Sequence, residues 1–181
     1  MRIDEDGTDA FGYRDRVIFP VRVTPKDAPR PVLLVLTVSY AVCSRLCVPA
    51  KAEARLTLLP TPETGTASPE AAAIAAAEAA VPLRLTPEQR DAKVAITRDE
   101  TAPTPTWRLS PRRGGVQDLF AEAPPGWYFE TRKSSSPAEF LIVEVEKPRT
   151  DSRAPVPVIL TLRNEQQSYE FAVDLDATSV P

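Results

Sequence analysis

Residues 32–50 read VLLVLTVSYAVCSRLCVPA. The first eleven of these are apolar or β-branched almost without interruption and alternate only in part, the pattern of a strand buried on both faces. That strand runs into Cys43, crosses Ser44, Arg45 and Leu46, and reaches Cys47, the second of the sequence's two cysteines. Beyond Pro49, the segment AEARLTLLP at 52–60 alternates cleanly, with Ala54, Leu56 and Leu58 on one face and Arg55 and Thr57 on the other. Upstream, VIFPVRVT at 17–24 has the same β-rich composition, and PKDAPRP at 25–31 suits a hairpin loop. Three strands in so short a span predict a meander, with the cysteines at one of its turns.

The flanks complete the outline. Residues 1–16 are polar and acidic, with Gly7 and Gly12 marking turns, and read as a loop or an unanchored end. Further on, Ser68 is a natural N-cap, Pro69 suits the first helical position and Glu70 favours the positive end of the helix dipole, which predicts an alanine-rich helix over 69–80, stopped by Pro82. With few large apolar side chains, this helix reads as a connector. From residue 93, strand signals recur: KVAITR, PTWRLSP, VQDLFAEA, GWYFETR, EFLIVEVEK, VPVILTLR and SYEFAVDLD, with proline and glycine between them. They predict a small antiparallel sandwich. Its core residues are expected to include Phe140, Ile142 and Val143 at a buried bend, Tyr169, Phe171 and Val173 on one strand face, and bulk from Trp127, Tyr128 and Phe129.

Composition excludes several classes of function. A net charge of −3, with lysine and arginine scattered, provides no basic field for nucleic acid. No apolar run approaches the roughly 20 residues of a membrane helix, and no cofactor motif is present. The N-terminus lacks the basic and apolar regions of a secretory signal. The sequence has no histidine, which removes the commonest general base and every Ser/His or Cys/His pair.

Two thiols at this spacing suit three chemistries: a redox pair, a structural disulfide, or a Cu(I) clip through Cys43 and Cys47. A loop of about five residues gives a staple only about 2 kcal/mol by chain entropy. When reduced, the same loop holds the thiols together, and Arg45 within it and Lys51 beyond it favour thiolate, so reversible oxidation fits better than scaffolding. The copper reading resembles proteins of the Sco type, which share the cysteine spacing but use a distant histidine and a thioredoxin-like fold. An interaction domain with an inert disulfide is the third reading.

One resemblance bears on the choice. The stretch GYRDRVIFPVRVTP…LLVLTVSYAVCSRLCVPAKAEARLTL resembles the N-terminal domain of the thiol:disulfide interchange protein DsbD and its ScsB-like relatives. A tyrosine and Arg14-Asp15-Arg16 lead a strand ending in Pro20-Val21; a second strand ends at Tyr40; two cysteines and Pro49 follow. The resemblance implies an immunoglobulin-like sandwich in the periplasm, in which Cys43 and Cys47 take electrons from a membrane-embedded donor and pass them to periplasmic thiol-disulfide proteins, a protein-disulfide reductase component of the kind that serves cytochrome c biogenesis. It also implies an aromatic cap over the pair, for which Phe11 and Tyr13 are the candidates; Arg45, by its place in the loop, is the candidate tuning cation. Matched to that family, the first sandwich reads as incomplete, with its earliest strands and export signal expected before Met1. The expected organisation is all-β: residues 1–60 as the cysteine-bearing immunoglobulin-like part, 61–91 as a linker with the alanine-rich helix, and 92–181 as a second β-sandwich.

Overall fold

The structure, a computed structural model, describes residues 2–5, 8–26, 30–44, 46–59, 68–136, 138–149, 154–165 and 167–176. In chain order the elements are β1 (Arg2–Glu5), β2 (Thr8–Phe11), β3 (Val32–Cys43), β4 (Cys47–Leu58), α1 (Ala71–Ala80), β5 (Leu83–Arg84), α2 (Pro87–Lys93), β6 (Val94–Arg98), β7 (Thr106–Pro111), β8 (Asp118–Glu122), β9 (Tyr128–Lys133), β10 (Phe140–Glu146), β11 (Val156–Arg163) and β12 (Tyr169–Leu175). They form two compact units, Met1–Ile18 with Ala76–Pro181, and Phe19–Ala75. The chain passes from one to the other between Ile18 and Phe19 and again inside α1, between Ala75 and Ala76.

The first unit holds an immunoglobulin-like sandwich of two four-stranded sheets, ordered β6-β7-β10-β9 and β5-β12-β11-β8. All seven strand segments expected after residue 93 are present. Strand β11 alternates fully, with Val156, Val158, Leu160 and Leu162 buried and Pro157, Ile159 and Arg163 exposed. Leu109, Ile142, Phe140 and Trp107 face them from the other sheet in one continuous core. Phe171 and Val173 are buried as expected, and so is Val143, just before the register shift between Glu144 and Glu146. Phe129 is buried and Trp127 stacks on it at 6.0 Å, whereas Tyr128 points away from the core, as the alternation of a strand requires, and is exposed.

Two features depart from the sequence reading. Strands β1 and β2 pair antiparallel, with Arg2 opposite Phe11, where an unanchored loop is expected. Arg2 anchors the pair: its Nη2 donates to Thr131 Oγ1 at 2.8 Å, and the buried Thr131 hydroxyl donates to the Leu119 carbonyl at 2.6 Å, joining β9 to β8 across the sheets. Phe11 adds an edge-to-face contact with Phe120 at 5.2 Å. The second departure is α2, which follows from a capping box: Gln89 N–H donates to Thr86 Oγ1, and Thr86 N–H to Gln89 Oε1. Helix α1 begins at Ala71, after a turn at 69–70 in which Ser68 Oγ accepts from Glu70 N–H at 3.1 Å, two residues later than expected, and among its residues Ala77 is buried.

On the outer face of the first sheet, Arg108 lies between Asp99, at 2.9 Å, and Glu139, at 3.1 Å. Hydrogen bonds from Thr101, and then Arg108, hold Asp99 below its ordinary value; the Ser110 hydroxyl, and then Arg108, do the same for Glu139. Both carboxyls are depressed in the folded state, so their contribution is full above the ordinary values of 3.8 and 4.5 and is lost as pH falls through the lowered ones. Urea midpoints measured from about pH 6 to about pH 3 should therefore decline, and more shallowly in Glu139→Gln. Because both tryptophans lie in this unit, their fluorescence reports its unfolding. By that signal Leu109→Ala, at a fully buried position, should cost about 2–5 kcal/mol.

Candidate functional site

The second unit contains a two-stranded antiparallel ribbon, β3 with β4, running in register from Val32 opposite Leu58 to Cys43 opposite Cys47. The expected third strand is absent: residues 17–24 pair with nothing in a sheet. Pro20, in the middle of that run, lacks the N–H a ladder needs, which demotes an otherwise strand-like sequence. The expected meander is thus a hairpin.

At its closed end, Cys43 and Cys47 form a disulfide, with Cα atoms 4.1 Å apart. That separation belongs to a non-hydrogen-bonded antiparallel pair, where side chains approach most closely. The ladder alternates from there. Ala41 opposite Pro49 is again a non-hydrogen-bonded pair, so Pro49 costs the ladder no donor. Beyond the cysteines, Ser44 N–H donates to the Leu46 carbonyl at 3.3 Å and narrows the loop. Both cysteines are exposed, so the sulfur bond is reachable from solvent.

The register also sorts the side chains. With the cystine lie Ala41 and Pro49, Ser39 and Lys51, Thr37 and Glu53, Val35 and Arg55, and Leu33 and Thr57. On β4 this face carries alternating charge. The opposite face pairs Val42 with Val48, Tyr40 with Ala50, Val38 with Ala52, Leu36 with Ala54, Leu34 with Leu56 and Val32 with Leu58, and is apolar throughout. Burial of β3 on both faces, expected from its composition, is not observed: Leu36 is 52% exposed and Val42 62% on one face, and Leu33 61% on the other. No second layer covers either face among the described residues.

Of the other expected site residues, Arg45 lies outside the described residues. Lys51 is on the cystine face but four residues along β4, about 14 Å by the strand rise, a distance at which salt strongly screens its charge. Phe11 sits in the other unit, against Phe120 and under the Arg2 guanidinium, 5.4 Å from its ring. Tyr13, two residues on, is 65% exposed. Sequence reasoning missed the all-apolar face, although the i, i+2 series from Val32 to Val42 and from Val48 to Leu58 displays it once a common register is drawn.

Residues 1–59 match the family described as "Thiol:disulfide interchange protein DsbD, N-terminal". The matched segment contains the whole ribbon and both cysteines, and also the β1–β2 hairpin that packs on the sandwich. Among solved structures, the N-terminal periplasmic domain of ScsB from Proteus mirabilis has a similar fold, with a TM-score of 0.52 and 13% identity, over 76% of this chain. The match spans 55% of the ScsB chain. No curated protein sequence matches. No helix among the described residues is long and apolar enough to cross a membrane.

An exposed cystine of this kind should open without unfolding. Dithiothreitol in native buffer, followed by iodoacetamide and mass spectrometry, should label Cys43 and Cys47 fully while Trp fluorescence stays unchanged; a requirement for denaturant would show the bond to be occluded.

Proposed function

We propose that the ribbon is a thiol–disulfide exchange element that passes reducing equivalents between protein partners through Cys43 and Cys47. One observation carries this reading: an exposed disulfide at a hairpin tip within the DsbD-like segment. In the reductive half-reaction a donor's thiolate attacks one sulfur of the pair, giving a mixed disulfide and one free thiolate. The donor's second thiol resolves it, leaving a protein dithiol and an oxidised donor. In the second half-reaction one cysteine of the dithiol attacks an acceptor disulfide, and its neighbour displaces the acceptor as a dithiol. Two electrons and two protons move in each step, and nothing accumulates.

The ribbon's register supports both states. Because the cysteines face each other across a continuous ladder, reduction breaks one covalent link and leaves the pairing of β3 and β4 to hold the thiols in reach. The entropic gain from so short a closed loop is about 2 kcal/mol, the low end of what staples deliver. For location we infer the periplasm, where such exchange operates, with a membrane-embedded dithiol donor and periplasmic thiol-disulfide acceptors. Arg45 is assigned to tuning the thiolate.

Equilibration against glutathione buffers tests the proposal. The midpoint should lie above about −300 mV; a value well below it would make the bond structural. In Cys43→Ser or Cys47→Ser, the remaining thiol should trap a mixed disulfide with a CxxC-bearing oxidoreductase such as thioredoxin, and the variant that retains the attacking sulfur should trap it faster.

A further inference from the structure

We propose that the 76–181 part of the first unit binds a small organic anion with an apolar body, an aryl or short-chain alkyl carboxylate, in a cavity at one end of its sandwich. The cavity, about 700 Å³, lies where α2, the β7–β8 connection and the ends of β11 and β12 converge. This volume is typical of sites that enclose small organic ligands. Its floor is apolar, made by the buried Val94, Leu162 and Phe171 of the two facing sheets. Its rim carries Lys93, Arg112 and Arg113, and among the described residues that line it there is no carboxylate. In a protein of net charge −3, three cations without a lining acid are a local reversal of field.

The rim is also held in place. Arg112 Nε donates to the Asp91 carbonyl and its N–H to the Lys93 carbonyl, both at 2.7 Å, which fixes the guanidinium beside the end of α2. Arg90 Nη1 donates to the Ala172 carbonyl at 3.1 Å and docks α2 on β12. The Lys93 ammonium sits 4.3 Å from the centroid of the Tyr169 ring. Arg113 makes no ion pair or hydrogen bond among the described residues and precedes Gly114, whose φ of +77° turns the chain. A guanidinium with no partner among the described residues, beside an apolar floor, matches a carboxylate that brings its own apolar group. A bare hydrated anion would leave the floor unused.

The test uses the full chain and three probes: 2-naphthoate, 2-naphthylmethanol and inorganic phosphate, with methyl and amide shifts followed by NMR. Naphthoate should shift Val94, Val116 and Leu162 and bind at least about tenfold more tightly than the alcohol or phosphate. Arg113→Glu should weaken naphthoate about tenfold, Arg113→Lys should retain binding, and Arg132→Glu, on the exposed edge of β9, should leave it unchanged. Equal affinity for naphthoate and the alcohol, phosphate binding as tightly as naphthoate, or shifts confined to the exposed ribbon of residues 32–58 would each overturn the proposal. Cystine reduction should not alter the affinity, so the result stands apart from the exchange reading.

Discussion

The pairing of Cys43 with Cys47 at the closed end of a continuous ladder sets everything else in its unit. Once those two positions face each other as a close, non-hydrogen-bonded pair, every other residue of β3 and β4 is assigned a partner and a face. Pro49 falls where no ladder donor is required, and the charges of β4 fall with the cystine. A slip of one residue would place Pro49 where β3 needs an N–H and would turn Lys51, Glu53 and Arg55 onto the apolar face. The site and the apolar face are thus two consequences of one register.

Two contrasting environments result. The sandwich of residues 76–181 buries its alternating strands against each other and closes a core, so its stability is a matter of packing. The ribbon displays the same kind of alternation with nothing layered on it among the described residues, and two-stranded ribbons are marginal by themselves. For exchange chemistry this matters, because a sulfur bond that partners must reach belongs at an exposed hairpin tip. The cavity at the end of the sandwich, by contrast, sits on elements locked by backbone and side-chain hydrogen bonds, the setting in which a site is preorganised.

Much of this was legible along the sequence. The strand positions after residue 93, the helix after Ser68 and the three-residue loop between the cysteines all rest on local signals: alternation, capping and turn length. Two local signals were present and outweighed. The Asp6-Gly7 dipeptide marks a hairpin, but the polarity of residues 1–16 favoured a loop. Likewise Thr86-Pro87-Glu88-Gln89 is a capping box, read instead as part of a linker. At 17–24 the error ran the other way, since composition outweighed the missing donor of Pro20.

By itself, then, the sequence determined the strands after residue 93, the alanine-rich helix after Ser68, and that two thiols meet across a short loop, because each depends on neighbours within a few residues. Only the tertiary structure decided which faces are covered. An apolar run implies burial solely if a second layer meets it, and for β3 none does among the described residues, whereas β11, of closely similar composition, buries one face against the other sheet. The same holds for Arg2, which reaches the distant Thr131, and for Lys93, Arg112 and Arg113, scattered in composition yet gathered around one cavity by the docking of α2 on β12. Such contacts join residues far apart in the chain, and no local pattern records them.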